Sequence, residues 1–279
     1  MSDRRDILKF VPPPADLVGH VFGFVHRRDC RGGDVVLILP EARTSVQVRR
    51  ADAYHIREVD NGAPWREVPP VSLWGPRVRR GYGYADERIE VFGIGLTPWG
   101  FRALTGAAPM KFLNDAAPLE TAAPTFASCL GKLTTAEFDL WCAGAINSLR
   151  AAIASAAAPP RISEALGILG SAATVAGAAR RLGLSDRHFR RLFAEEFGAA
   201  PKTFARILRF DQTLRRLHPR PWEAADYDDA NNYADQAHLI REFCAFAEIT
   251  PGAYVRNKEQ HGDRILRSIV VEGVEPPGA

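Results

Sequence analysis

Short apolar runs separated by Gly, Pro, Asn and Asp clusters fill the first third of the chain, and longer apolar stripes at helical spacing fill the rest. The runs at 21–25, 35–39, 45–48, 54–59, 71–74 and 89–96 predict an antiparallel barrel or sandwich of roughly one hundred residues. Gly81, Gly83, Gly93 and Gly95 weaken any strand that holds them, so bends or bulges are expected there. Residues 109–124 read as a loop-rich connection. Thr134-x-x-Glu137 has the spacing of a capping box ahead of a helix running to about residue 158, with Phe138, Trp141, Cys142, Ala145, Leu149 and Ile153 in one stripe. That stripe packs on the β domain or pairs with the same helix of a second subunit; Pro159-Pro160 ends the helix.

A helical region then starts near residue 161, where Ile162, Ala165, Leu166 and Leu169 share one face. In TVAGAARRLGLSDRHFRRLFAEEF, residues 174–197, Thr174 caps a first helix and Gly183 sits where a left-handed residue ends it. Ser185 caps a second helix, on which Phe189, Leu192, Phe193 and Phe197 face one way while Arg187, Arg190 and Arg191 face the other. A helix anchored by its back with arginines on its front suits a major groove, since guanidinium pairs two-pronged with guanine; the plainer alternative is a solvated charged face. Pro201 opens a long helix to residue 217 with Phe204, Ile207, Leu208 and Leu214 inward. Asp235 then caps a helix with Leu239, Phe243 and Phe246 inward and Gln236, Ala237 and Arg241 toward the other side, so the unit is repeated.

With 279 residues the chain has room for about two domains, and its net charge of +3 is too small to imply a partner by itself. No run of 18 apolar residues occurs, which makes the cytoplasm the expected location. Cys30, Cys129, Cys142 and Cys244 are far apart and are expected to be buried, reduced thiols. His20, His26 and His55 show no converging spacing, and no P-loop, serine elbow or dinucleotide fingerprint is present. Neither a metal, a cofactor nor a catalytic residue is therefore expected.

Two stretches, AARRLGLSDRHFRRLFAEEFGAAPKTFARILRF at 178–210 and YADQAHLIREFCAFAEITPGAYVR at 233–256, resemble the DNA-binding domain of the AraC/XylS family of bacterial transcription regulators. The resemblance implies two helix-turn-helix units on a shared helix, with recognition helices entering major-groove faces about one turn apart. By position it carries base reading to Arg187, Arg190 and Arg191 in the first unit and to Gln236, Ala237, Ile240 and Arg241 in the second. Ser185, His188, Lys202 and Arg209 complete the candidate DNA-contact set. ILKFVPPP at 7–14, LWGP at 73–76, FGIGLTPWGFRALTG at 92–106 and PLE at 118–120 are similar to a sensor domain of one branch of that family. The expected organisation is a β-rich sensor domain at 1–122, a connecting segment with a helix at 123–160, the DNA-binding domain at 161–260 and a tail at 261–279. Double-stranded DNA is the expected partner, with RNA polymerase, a small-molecule effector and a second copy of the chain as further ones.

The second unit departs from the family pattern at PWEAADYDDANNYADQ, residues 221–236, where Asn232 takes the place of a turn glycine and Asp226, Asp228 and Asp229 add charge. Residues 174–216 carry ten cations against four anions, whereas 221–259 carry three against eight. Phosphate neutralisation supplies most non-specific affinity, so the first unit is expected to dominate binding. The alternative is that the aspartates point away from DNA and serve solubility or a polymerase contact. Two other functions stand beside DNA reading: a scaffold acting through protein contacts, its acidic unit docking a basic partner, and a small-molecule enzyme built on the barrel.

Overall fold

The computed structural model describes residues 7–29, 32–59, 62–156, 164–171, 174–197, 200–217, 235–261 and 268–278. Its strands are β1 (Ile7–Val11), β2 (Val21–Asp29), β3 (Val36–Ile38), β4 (Thr44–Arg49), β5 (His55–Glu58), β6 (Arg66–Glu67), β7 (Val71–Trp74), β8 (Gly81–Tyr84), β9 (Ile89–Leu96), β10 (Ala116–Pro118) and β11 (Ile269–Val270). They form two antiparallel sheets, ordered β1-β2-β9-β4-β7-β10 and β11-β3-β8-β5-β6. The expected runs are all strands, because alternation puts Val46, Val48, Leu73, Phe92 and Ile94 on one buried face. On the other face Trp74 and Ala116 meet Ile38, Tyr54 and Ile56 of the second sheet.

The first face is covered by α1 (Pro98–Thr105), α2 (Pro124–Gly131) and α3 (Phe138–Ile153). All six stripe residues of α3 are buried within this chain's own core, where Trp141 stacks on Phe138 and meets Phe92 at 5.2 Å. The expected capping box is absent. Thr134 Oγ donates to the Gly131 carbonyl at 3.1 Å, closing the turn after α2, and the helix starts at Phe138 with no side-chain cap. It ends at Ile153, short of the expected 158.

The glycines also depart from expectation. Gly81 and Gly83 lie within β8, where a Cβ on Gly83 would strike the Tyr54 hydroxyl; the irregularity sits in β2 between Val21 and Gly23, opposite Leu96 and Gly95 of β9. The stretch at 109–124 is a connection of two 3-10 turns with β10 between them, after which Pro124 opens α2.

The helical region comprises α4 (Ala165–Ser171), α5 (Val175–Arg181), α6 (Asp186–Phe197), α7 (Pro201–Leu217), α8 (Gln236–Ala247) and α9 (Pro251–His261). Its core of Ala178, Phe189, Phe193, Phe204, Phe210, Phe243 and Tyr254 continues into Leu37, Leu39 and Ala42 of the β domain. The tail turns back: β11 pairs with β3, Asn257 of α9 exchanges hydrogen bonds with Val270 at 3.0 and 3.2 Å, and buried Lys258 donates to the Ser268 carbonyl at 2.5 Å. The expectations at Asp226, Asp228, Asp229 and Asn232, and those at Ile162 and Pro159-Pro160, lie outside the described residues.

One polar cluster is sealed under the start of α3. His26 Nε2 lies 2.9 Å from the Glu90 carboxylate, which Arg28 also reaches at 3.1 Å, and Arg50 covers the adjoining Phe92 ring. Burial lowers the His26 pKa more than Glu90 raises it. Burial raises that of Glu90, yet hydrogen bonds from Arg28 and His26 hold the carboxyl below its usual range. A neutral His26 therefore donates to an ionised Glu90. Because the folded imidazole binds its proton less tightly than the unfolded one, its contribution is complete above the ordinary pKa of 6.5 and declines as pH falls below it. The urea midpoint of the wild type is expected to fall between about pH 7 and 5.5, and less steeply in His26→Gln; His20, whose pKa burial also lowers, keeps the residual slope. Parallel slopes in the two proteins exclude His26 as the source.

Candidate nucleic-acid interface

Thr174 sits at the N-cap of α5 and accepts from the Gly177 amide at 3.0 Å. At the other end, the Leu184 amide donates to the Ala179 carbonyl and the Gly183 amide to that of Arg180, with Gly183 at φ +69°. This is the Schellman arrangement, and it sets the angle between α5 and α6. Ser185 then accepts from the His188 amide at 3.3 Å, so α6 begins where the sequence places it.

The back of α6 is a run of buried rings. The Phe193 ring lies tilted 5.6 Å from Phe189 and 4.2 Å from Phe197, and both Phe193 and Phe197 meet Phe204 of α7. On the front, Arg187, His188, Arg190 and Arg191 are exposed together. Arg190 pairs with Asp186 at 2.9 Å and Arg191 with Glu195 at 2.7 Å, each one turn away and in solvent. Exposed pairs of this kind are worth about 0–1 kcal/mol, so releasing either arginine from its carboxylate costs little. Arg187 has no ion pair among the described residues.

Lys202 is exposed in the first turn of α7, beside this face in sequence. Arg209 is half-buried, and its charge helps hold down the Glu242 carboxyl of α8, so it belongs to the seam between the units. In that seam Arg206 grips Glu242 with two hydrogen bonds, at 2.9 and 3.1 Å, and Phe210 meets Phe243 and Phe246.

The second recognition helix repeats the plan with less charge. Asp235 caps α8 by accepting from the His238 amide at 2.6 Å, while Gln236, Ala237, Ile240 and Arg241 are all exposed. Leu239 is half-buried, and Phe243 and Phe246 are buried. Ile240, 38 % exposed, is one of few large apolar side chains in solvent, a position that suits contact with a thymine methyl.

Two residues of this region escape sequence reasoning. Arg102 of α1 donates to the Glu195 carbonyl at 2.9 Å and pairs with the Glu196 carboxylate at 3.1 Å, at the C-terminal end of α6. Arg80 pairs with Glu248 at 2.5 Å and donates to the Ala245 carbonyl at 3.3 Å, at the C-terminal end of α8. Periodicity carries no signal for partners 94 and 165 residues apart; membership of Arg102 in the FGIGLTPWGFRALTG stretch is the one hint.

A family model described as a helix-turn-helix domain matches residues 178–257. No curated protein matches the chain. Among solved structures, a point-substituted apo form of ToxT from Vibrio cholerae strain SCE256 aligns with a TM-score of 0.48 at 11% identity, covering 84% of this chain and 97% of that one. Unsaturated fatty acid bound wild-type ToxT from the same strain gives 0.46 at 11% identity, covering 83% and 94%. The AraC-like transcriptional activator CuxR gives 0.25 at 13% identity, covering 75% and 86%.

A Cβ on Gly183 would meet nothing within 4 Å, so only its left-handed backbone opposes a side chain there. Gly183→Ala is expected to cost about 1–2 kcal/mol, read as a fall in the urea midpoint. An unchanged midpoint excludes the left-handed turn.

Proposed function

We propose that this chain, whose residues 178–257 are an AraC-type helix-turn-helix domain, is a sequence-specific transcription regulator of the bacterial cytoplasm whose first unit supplies most of the DNA affinity. The observation that carries the proposal is the front of α6: Arg187, His188, Arg190 and Arg191 exposed side by side on a helix whose back is locked by three buried phenylalanines. Arginines there can pair with guanine O6 and N7 or with phosphate. On α8 only Arg241 offers an exposed cation, and Lys258 of α9 is 5 % exposed and spent on a backbone carbonyl. The second unit thus reads through Gln236, Ala237, Ile240 and Arg241 with little phosphate attraction behind it. Among the described residues no helix is long and apolar enough to cross a membrane.

Control by a small polar ligand of the β domain is the second half of the proposal. A cavity of about 250 Å³ is lined by four cations, Arg57, Arg66, Arg77 and Lys111, and by two carboxylates, Glu58 and Asp115. Arg77 is 6 % exposed, and its guanidinium reaches the Asn114 carbonyl only at 3.4 Å, with no carboxylate in ion-pair range among the described residues. The space falls below the roughly 300–1,000 Å³ of sites for drug-sized ligands, and the excess of cations over carboxylates in its lining favours a small anion. The turn at Pro109–Phe112, which brings Lys111 to the cavity, also touches α6, so occupancy has a short path to the recognition helix.

Selection of bound sequences from random duplexes tests the first half. Wild type is expected to enrich a motif, with affinity falling steeply as salt rises; Arg190→Ala blurs part of the motif and loses about 1–3 kcal/mol, and Arg241→Ala loses less. Equal losses overturn the asymmetry, and absence of enrichment at low salt overturns the DNA-reading proposal. For the second half, inorganic phosphate or malate at millimolar concentration is expected to raise the melting temperature of the wild type more than that of Lys111→Glu. Equal shifts in the two proteins place the anion elsewhere.

A further inference from the structure

The two recognition helices are held alike at their C-terminal ends by arginines from the β domain. Arg102 takes the Glu195 carbonyl and the Glu196 carboxylate of α6; Arg80 takes the Ala245 carbonyl and the Glu248 carboxylate of α8. The last turn of a helix leaves carbonyls without intrahelical partners and carries the negative end of the helix dipole, so a guanidinium is the matching cap. In each case a glutamate at the end of the helix completes the pair.

Both arginines stand on fixed parts of the β domain. α1, which carries Arg102, is capped by Thr97 accepting from the Gly100 amide at 2.9 Å and is anchored by fully buried Phe101. Arg80 immediately precedes β8, and the loop before it is pinned by the Val78 and Arg79 amides donating to Asn114 Oδ1 at 2.8 and 3.0 Å. Within the helical region, α8 is fastened to α7 through the Arg206–Glu242 pair and the Phe210 contacts. A second attachment at the helix end removes the rotation that one attachment leaves.

We infer that Arg80 and Arg102 are positioning residues for DNA reading: they fix the relative tilt of α6 and α8, and with it the spacing between half-sites that the chain accepts. This rests on the DNA-reading proposal above. Ala237 lies eight residues before Ala245, about 12 Å along the helix axis at 1.5 Å per residue. On that arm a tilt of about 16° carries the reading end by roughly one base step of 3.4 Å. The clamps act on spacing and leave the side chains that meet bases untouched.

The test offers the full-length chain a duplex library in which the two half-motifs enriched by wild type are separated by varied numbers of base pairs. Wild type is expected to take one dominant spacing. Arg80→Ala and Arg102→Ala are each expected to lower the penalty for one inserted base pair about tenfold while base preference within each half-site stays the same. Arg80→Glu paired with Glu248→Arg is expected to restore the dominant spacing. Equal penalties in wild type and both alanine variants overturn the inference, as does a change of base preference within a half-site. Amide hydrogen exchange on the free chain separates the inference from its premise: the last turns of α6 and α8 are expected to exchange faster in Arg102→Ala and Arg80→Ala respectively, and unchanged exchange overturns the clamps. Faster exchange in the variants, with no motif enriched by wild type, overturns the DNA-reading premise and leaves the clamps as contacts alone.

Discussion

The arginine face of α6 depends on a cluster of buried rings on the opposite side of the helix. α6 has twelve residues, most of them polar, and an isolated helix of that length is marginal in water. Its two i,i+4 ion pairs are exposed and add little. What holds it is burial of Phe189, Phe193 and Phe197 against Phe204, each ring taking on the order of 150–250 Å² out of water. Because these rings lie on one side, burying them also dictates which residues face out. The arginine front is the consequence of the phenylalanine back.

Anchoring one helix does not orient two. The Schellman turn at Gly183 fixes α6 against α5, and α7 carries the seam to α8, where Arg206 and Glu242 are only partly shielded. The β domain adds what the helical region lacks, through the arginine caps and through the edge strand β11, which reaches β3 from the end of α9. Apolar side chains of β3 and its loop, Leu37, Leu39 and Ala42, complete the helical core itself. A change in the β domain therefore has a contiguous route to the reading surface, and one ligand state can differ from another only as far as it binds those arrangements with different affinity.

Local chemistry was legible in the sequence wherever period and punctuation agree. Short apolar runs marked strands at 21–25, 45–48 and 89–96, the first of which extends to Asp29, the α3 stripe was right at every position, and Thr174, Gly183, Ser185 and Asp235 punctuate the helices as their residue types demand. What stayed hidden is nonlocal. β8 reads GYGY, which propensity assigns to a bend; it is a strand because Tyr54 fills the space above Gly83. β11 is two residues long and finds its partner more than two hundred positions earlier, at Val36 and Leu37. The capping-box pattern at Thr134 misleads because Thr134 closes the turn after α2 while the N-cap of α3 falls three residues later, at Glu137. Arg80 and Arg102 look like any surface arginine until the fold brings helix ends to them.

Folding also changes what the charge count means. Counted along the chain, the second unit is acidic, yet its described carboxylates near α8 each have a partner within the chain, although Asp235 and Glu248 stay exposed. Asp235 caps the helix, Glu242 holds Arg206, and Glu248 holds Arg80. Cations are withdrawn in the same way, Arg215 onto Asp211 and Lys258 onto Ser268. Exposed to solvent are Arg180, Arg181, Arg187, Arg190, Arg191, Lys202 and Arg216 from α5 to α7, against Arg241 and Arg256 on α8 and α9. Among the described residues, then, the second unit exposes fewer cations than the first. Counterion release scales with the number of phosphates neutralised, so under the proposed function that shortage would limit what the second unit adds to affinity and leave specificity as its main contribution.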